Sequence, residues 1–205
     1  MHAAVARSQP TPPATLADLA AVPDGLNGEI LDGLLVRSPR PAFAHVNAAS
    51  RALVLLGGAF QHGLGGPGGW WILMEPELHL GLETKYAAIV PDLAGWRLDR
   101  METAPLTAHV PIVPNWVCEV VSPGTVRHDR VLKLPFYARA GVDHAWLIDP
   151  VQRMLEVFER SGTSWTLLGT WSDDDVAEVA PFAAVPFDLG ALWRPPKVPE
   201  AGSQP

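Results

Sequence analysis

Residues 116–150 read WVCEVVSPGTVRHDRVLKLPFYARAGVDHAWLIDP, and this stretch decides the fold. The run 116–121 is compact and almost wholly apolar, the pattern of a buried strand, and Ser122-Pro123 ends it. Residues 126–140 carry helical spacing and stop at Gly141, a residue suited to a helix C-terminus. Pro135 lies inside that helix, removes one backbone hydrogen bond and is expected to kink it. A second apolar strand, 144–148, follows and closes in the turn Asp149-Pro150.

Upstream, Trp70–Met74 is an apolar strand and 86–96 reads as another, with Pro91-Asp92 inside it. Residues 41–57 have the alanine content and apolar spacing of a first long helix. Before it, Asp32-Gly33 makes the tight turn of a hairpin spanning 29–36. Thr15 and Asp18 form a capping box for a short helix that stops before Pro23. Downstream, 153–159 and 164–170 read as a hairpin turning at Ser161-Gly162, and 173–175 as a solvated acidic turn. Residues 100–115, with three prolines, read as a long loop. The order implies a mixed α/β (α+β) sheet with helices packed on it, not a regular βαβ series.

The chain has 205 residues, 21 of them proline and 18 glycine, and that excess marks the joints and the Pro-rich ends. Residues 1–14 and 194–205 are expected to be disordered tails around one domain, 15–193. An apolar fraction of 48% excludes a chain disordered throughout. The longest apolar run, 52–60, is shorter than the roughly 18 residues of a membrane span and contains Gly57-Gly58, so no membrane partner is expected. No signal-peptide core precedes it, and the expected compartment is the cytoplasm. A single cysteine, Cys118, permits no intrachain disulfide and no cysteine-based zinc site. A net charge of −7 argues against a passive nucleic-acid coat. It leaves room for a metal-dependent nuclease, whose acids gather cations.

The carboxylates are the informative residues. Asp92 and Glu119 each sit in an apolar stretch, where an ionised acid is expensive unless paired or metal-bound. Two such strands suggest two acids converging on one cation; the alternative is that either faces solvent or pairs with an arginine. On the following helix Asp129, Lys133 and Tyr137 lie at i, i+4 and i+8 and share a face. Lys133 can point from there toward the acids, or form an ordinary surface pair with Asp129. His45, on the first helix, either faces the site or is a plain half-buried histidine. Gly63, Gly65 and Gly68 match a dinucleotide fingerprint by letter, but a helix precedes them and a strand follows, so they read as a turn.

Five motifs in order carry a resemblance: PD at 91–92, CEVVSP at 118–123, DRVLK at 129–133, YARAGV at 137–142 and AWLIDP at 145–150. With the GEILDG hairpin at 28–33 and the helix near His45, the chain resembles the Uma-two family of restriction-endonuclease-like proteins, a branch of the PD-(D/E)XK nuclease superfamily. The resemblance implies a restriction-endonuclease-like mixed sheet flanked by helices. It implies that Asp92 and Glu119 are catalytic metal ligands for Mg²⁺ (or Mn²⁺), joined by the backbone carbonyl of Val120. It offers Glu29 as an accessory acid. The superfamily's lysine stands two residues after the acid, where this chain has Val121; Lys133 matches the helix position that stands in for it. Tyr137 then packs beneath the site or hydrogen-bonds to Asp129.

The leading expectation is therefore a Mg²⁺-dependent DNA endonuclease, as a homodimer because cutting both strands of a duplex suits two-fold symmetry. A non-catalytic nucleic-acid- or protein-binding module on the same fold is the alternative, motivated by Val121. A small-molecule or metal enzyme is the third, with Trp70, Trp71 and Trp96 as pocket walls.

Overall fold

A computed structural model describes residues 12–82 and 85–196. Of the expected tails, 1–11 and 197–205 lie outside the described residues. The inner ends are tied to the fold: the Ala14 N–H donates to the Gly33 carbonyl at 2.8 Å, and Arg194 pairs with Asp188.

The quoted stretch builds the centre. Strand β7 (Trp116–Val120) is buried at every position, as a strand covered on both faces must be. It pairs in parallel with β8 (His144–Asp149). Parallel pairing needs a crossover, and the helical segment between them supplies it. That segment is not the single kinked helix expected. It runs as a short α3 (Val126–His128), a π-helical turn (Asp129–Lys133) and α4 (Leu134–Ala140), closed by Gly141 in the left-handed conformation at φ 93°. The wider turn leaves Pro135 in the first turn of α4, where a missing N–H costs nothing.

Around this unit lies a six-stranded mixed sheet in the order β10-β9-β8-β7-β6-β3. Its outer members are β3 (Trp70–Met74), β6 (Leu93–Arg97), β9 (Met154–Ser161) and β10 (Ser164–Ser172). A second, four-stranded antiparallel sheet has the order β2-β1-β5-β4, formed by β1 (Leu26–Leu31), β2 (Leu34–Pro39), β4 (Leu78–Leu82) and β5 (Lys85–Ile89). The hairpin at Asp32-Gly33 is as expected, and so is the capped helix α1 (Leu16–Ala20).

Two expectations are corrected. The stretch 86–96 is two strands, not one: β5 belongs to the four-stranded sheet and β6 to the six-stranded one. Pro91 has no N–H to give a ladder, so pairing stops there and the chain changes sheets at Val90-Pro91-Asp92. The first long helix, α2 (Phe43–Leu56), does not stop at Gly57-Gly58. It continues through a π-helical turn to Gln61, so Phe43–Gln61 is long and apolar enough to cross a membrane by length and composition. Its inner face, Ala48, Ala49, Ala52, Leu56 and Phe60, is buried against the six-stranded sheet's core. Strand β4, LHLGL, has the alternating pattern of a strand and is an element beyond those expected. The glycine-rich stretch at 63–69 is a loop with four glycines at positive φ, as read.

The β7–β8 pair separates two cores. On one face Trp116, Cys118, Val120, Trp146 and Ile148 pack with α2 and Phe182. On the other, Val117, Val121, Ala145 and Leu147 pack with Phe136 and Tyr137 of α4 and with Leu78 and Ile89 of the second sheet. Trp70 and Trp96 are spent in these cores, and the Trp71 indole N–H donates to the Met101 carbonyl at 3.0 Å; none lines the main cavity.

Candidate active site

Sheet register brings the two acids together. Antiparallel pairing sets Leu93 opposite Cys118, so Asp92, one residue before β6, lies beside Glu119 on β7. One oxygen of Asp92 accepts the Val120 N–H at 2.6 Å, and the other meets His45 Nε2 at 2.8 Å. Asp92 is thus held by a strand on one side and by α2 on the other. Its charge lifts the His45 imidazole above its ordinary value, against the opposing effect of burial.

Glu119 is 3% exposed. The Tyr137 hydroxyl donates to it at 2.6 Å, and Lys133 Nζ stands 3.0 Å from the same oxygen. Tyr137 therefore bonds Glu119, not Asp129 as one expectation had it. Lys133 is equally buried, so the surface-pair reading with Asp129 fails; Asp129 is itself only 4% exposed. The lysine reaches inward because it ends the π-helical turn, and it is a hub. Nζ donates to the Val90 carbonyl at 2.9 Å and lies 3.0 Å from Glu29 of β1, so one ammonium joins both sheets. Glu29 also accepts the Val90 N–H at 2.8 Å and meets His128 Nε2 at 3.1 Å.

The electrostatics follow from four carboxylates around one ammonium. Burial alone disfavours charge on Glu29, yet Lys133 and the bonds from His128 and Val90 hold its carboxyl down at about 2. Burial pushes Glu119 well up; Lys133 opposes this, while Asp92, Asp129 and Glu29 add to it. Burial also raises Asp129, against Lys133 and a hydrogen bond from Thr125. Burial works against the Lys133 charge, but the surrounding carboxylates raise it above an ordinary lysine, so it stays protonated. The cluster is short of positive charge.

Six of the expected residues, Glu29, His45, Asp92, Glu119, Asp129 and Lys133, line one cavity of about 520 Å³. Val120 lines it too, and the contact it makes with Asp92 is through its N–H. Tyr137 lies beneath, fully buried. The sequence reading missed three titratable lining residues. His128 belongs to no histidine pair or metal-ligand spacing in the sequence. Glu75 has a left-handed backbone, φ 46°, that no sequence pattern announces. Arg40 followed the hairpin with no motif to mark it.

The chain superimposes on the crystal structure of "a putative nuclease belonging to DUF820" from Anabaena variabilis with a TM-score of 0.67, at 18% identity, over 88% of this chain and 98% of that one. The Uma2 family, described as "Putative restriction endonuclease", matches residues 14–189, and the chain belongs to that family. No curated protein sequence matches it significantly.

Such nucleases generally use divalent metals. Among the described residues no three acid, histidine or cysteine side chains already stand as a metal cage. The donor set nevertheless fits Mg²⁺, which takes one or two carboxylates and keeps its waters. Asp92, Glu119 and Asp129 border the same cavity, and the excess of acids over ammonium is what a dication would relieve.

Proposed function

We propose that this chain is a Mg²⁺-dependent endodeoxyribonuclease that hydrolyses DNA phosphodiester bonds, with Asp92, Glu119 and Lys133 as its catalytic residues. The observation that carries the reading is the contact of Lys133 with Glu119 at 3.0 Å. It supplies, from the following helix, the ammonium that Val121 lacks. Asp92 and Glu119, with the Val120 carbonyl, would hold the metal, which when bound lowers the pKa of a water and neutralises phosphate charge. The chain's own residues do the rest. His45 and the Val120 N–H fix Asp92, and Tyr137 fixes Glu119, so both acids are aimed before substrate arrives. Lys133 remains charged. Its N–H groups are held by Glu29, Glu119 and the Val90 carbonyl, so its charge offsets through space the negative charge that builds on the phosphoryl oxygens. Glu29 and Asp129 keep that ammonium in place and protonated.

One observation favours a second reading. Both oxygens of Glu119 already accept hydrogen bonds from Lys133 or Tyr137, as in a purely structural acid. A non-catalytic binding module on the same fold would keep that network for stability.

Supercoiled plasmid, whose negative supercoiling opens unpaired stretches, separates the two when incubated with Mg²⁺, Mn²⁺ or EDTA. The expected result is metal-dependent nicking that Asp92→Asn and Glu119→Gln abolish. DNA binding that survives EDTA, with no nicking in either metal, establishes the module instead.

A further inference from the structure

The candidate acids are not on an open surface. Glu29, Glu119, Asp129 and Lys133 are each 8% exposed or less, and they form the floor of the cavity of about 520 Å³. Around them it is lined by β1, β2 and the turn after β2 on one side, by residues 120–129 on another, and by His45, Glu75 and Asp92. Cavities of this size hold a ligand of drug dimensions, about a nucleotide or two. In a duplex the phosphates are fixed on the outside of a wide paired helix, and carrying one to acids this buried takes local unpairing. An unpaired strand is flexible and needs none.

The charges around the cavity agree. A duplex-reading protein spreads cations over a face wide enough to meet both strands. Here two cationic side chains, Lys133 and Arg40, line the cavity among the described residues. Lys133 is committed to Glu29 and Glu119. Arg40 is exposed at the rim and makes no ion pair among the described residues. Beside it, Leu26, Pro39 and Pro41 give the same wall an apolar lining, which suits the face of an unstacked base.

We propose that the substrate of this site is an unpaired DNA strand, with the scissile phosphate over Asp92 and Glu119 and a neighbouring phosphate on Arg40. This rests on the nuclease reading and narrows its substrate class. It also removes the need for two-fold symmetry, since one strand is cut at a time.

The test uses a labelled oligonucleotide, alone and annealed to its complement. Binding is measured in Ca²⁺ and cleavage in Mg²⁺ and Mn²⁺. The unpaired strand should bind at least about tenfold more tightly than the duplex and be the one cleaved. Arg40→Ala should weaken that binding by about tenfold, the size of one lost charge-assisted phosphate contact. Arg37→Ala, exposed on β2 but away from the cavity, should not change it. A duplex bound and cut as well as the single strand overturns the inference and leaves the nuclease standing. Preferential binding of the single strand without cleavage in either metal keeps the strand class and overturns the nuclease. Binding of neither overturns both.

Discussion

The two faces of the β7–β8 pair are equally buried and are held together by different physics. On the first, Trp146 meets Trp116 edge-on with ring centroids 5.3 Å apart, and Phe182 and Phe187 close around it. That face is stabilised by apolar burial and aromatic geometry. On the second, the same strand carries Glu119, and the packing is organised around one ammonium shared by acids from two sheets. Burial there is a cost that the pairing offsets. A strand can thus be read as a core element on one side and as a site on the other, and only the side that carries buried charge needs a functional explanation.

The contrast predicts two large effects of different kinds. Trp146→Ala should cost about 3–5 kcal/mol by leaving a cavity. Lys133→Met should cost a similar ~3–5 kcal/mol for another reason, because it strands buried carboxylates. Urea denaturation measures both. Adding Glu119→Gln should recover part of the loss in Lys133→Met and none in Trp146→Ala. Equal behaviour of the two double variants breaks the distinction between the faces.

A pH series sharpens it. The Glu29 carboxyl is held at about 2 against an ordinary 4.5, so its contribution is complete above 4.5 and is lost as pH falls through that window. Glu119 has the opposite sign: its folded value is raised, so its contribution is present in acid and is lost as pH rises through that value. Glu29→Gln should flatten the acid limb of the stability curve between about 4.5 and 2, a change of a few kcal/mol followed by denaturant midpoint. The Trp146→Ala curve should keep the wild-type shape.

Tyr137→Phe should cost about 1–3 kcal/mol, because it removes the hydroxyl that satisfies a buried Glu119 oxygen and changes little packing. Under the nuclease reading it should also slow nicking without abolishing it, since Lys133 still contacts the acid. Plasmid assays beside urea melts measure the two together.

Which parts were legible in the sequence follows the same division. The apolar face was readable because alternation and length report burial directly: 116–121, 144–148, the Asp32-Gly33 hairpin and the α1 capping box all stand where expected. The acids were readable because a carboxylate in an apolar run is conspicuous. Three things were not. The change of sheet at Pro91-Asp92 depends on which strands pair, and pairing is long-range. The π-helical turn that swings Lys133 inward differs from an α-helix by one residue of hydrogen-bond frame, below what apolar spacing resolves. The partner of Glu29 was hidden because His128 lies 99 residues away and nothing in its local sequence sets it apart.

The smallest effect comes from the same π-helical turn. Arg130 and Lys133 are three residues apart, and each pairs with a glutamate: Arg130 with Glu156 on β9, Lys133 with Glu119 on β7. The Arg130 side chain keeps 39% of its surface in solvent, against 4% for Lys133. Water reaches both members of the first pair, and Glu156 keeps 18% of its side chain in solvent, so Arg130→Ala should cost only about 0.2–1 kcal/mol, and less as salt is raised. It should leave nicking unchanged, because Glu156 is not among the residues around the cavity. Two cations on one turn with stability costs several-fold apart, measured by the same urea titration, would assign the difference to burial rather than to the number of ion pairs. A loss at Arg130 as large as that at Lys133 would instead mean that the turn itself, and not the buried cluster beneath it, holds the second face together.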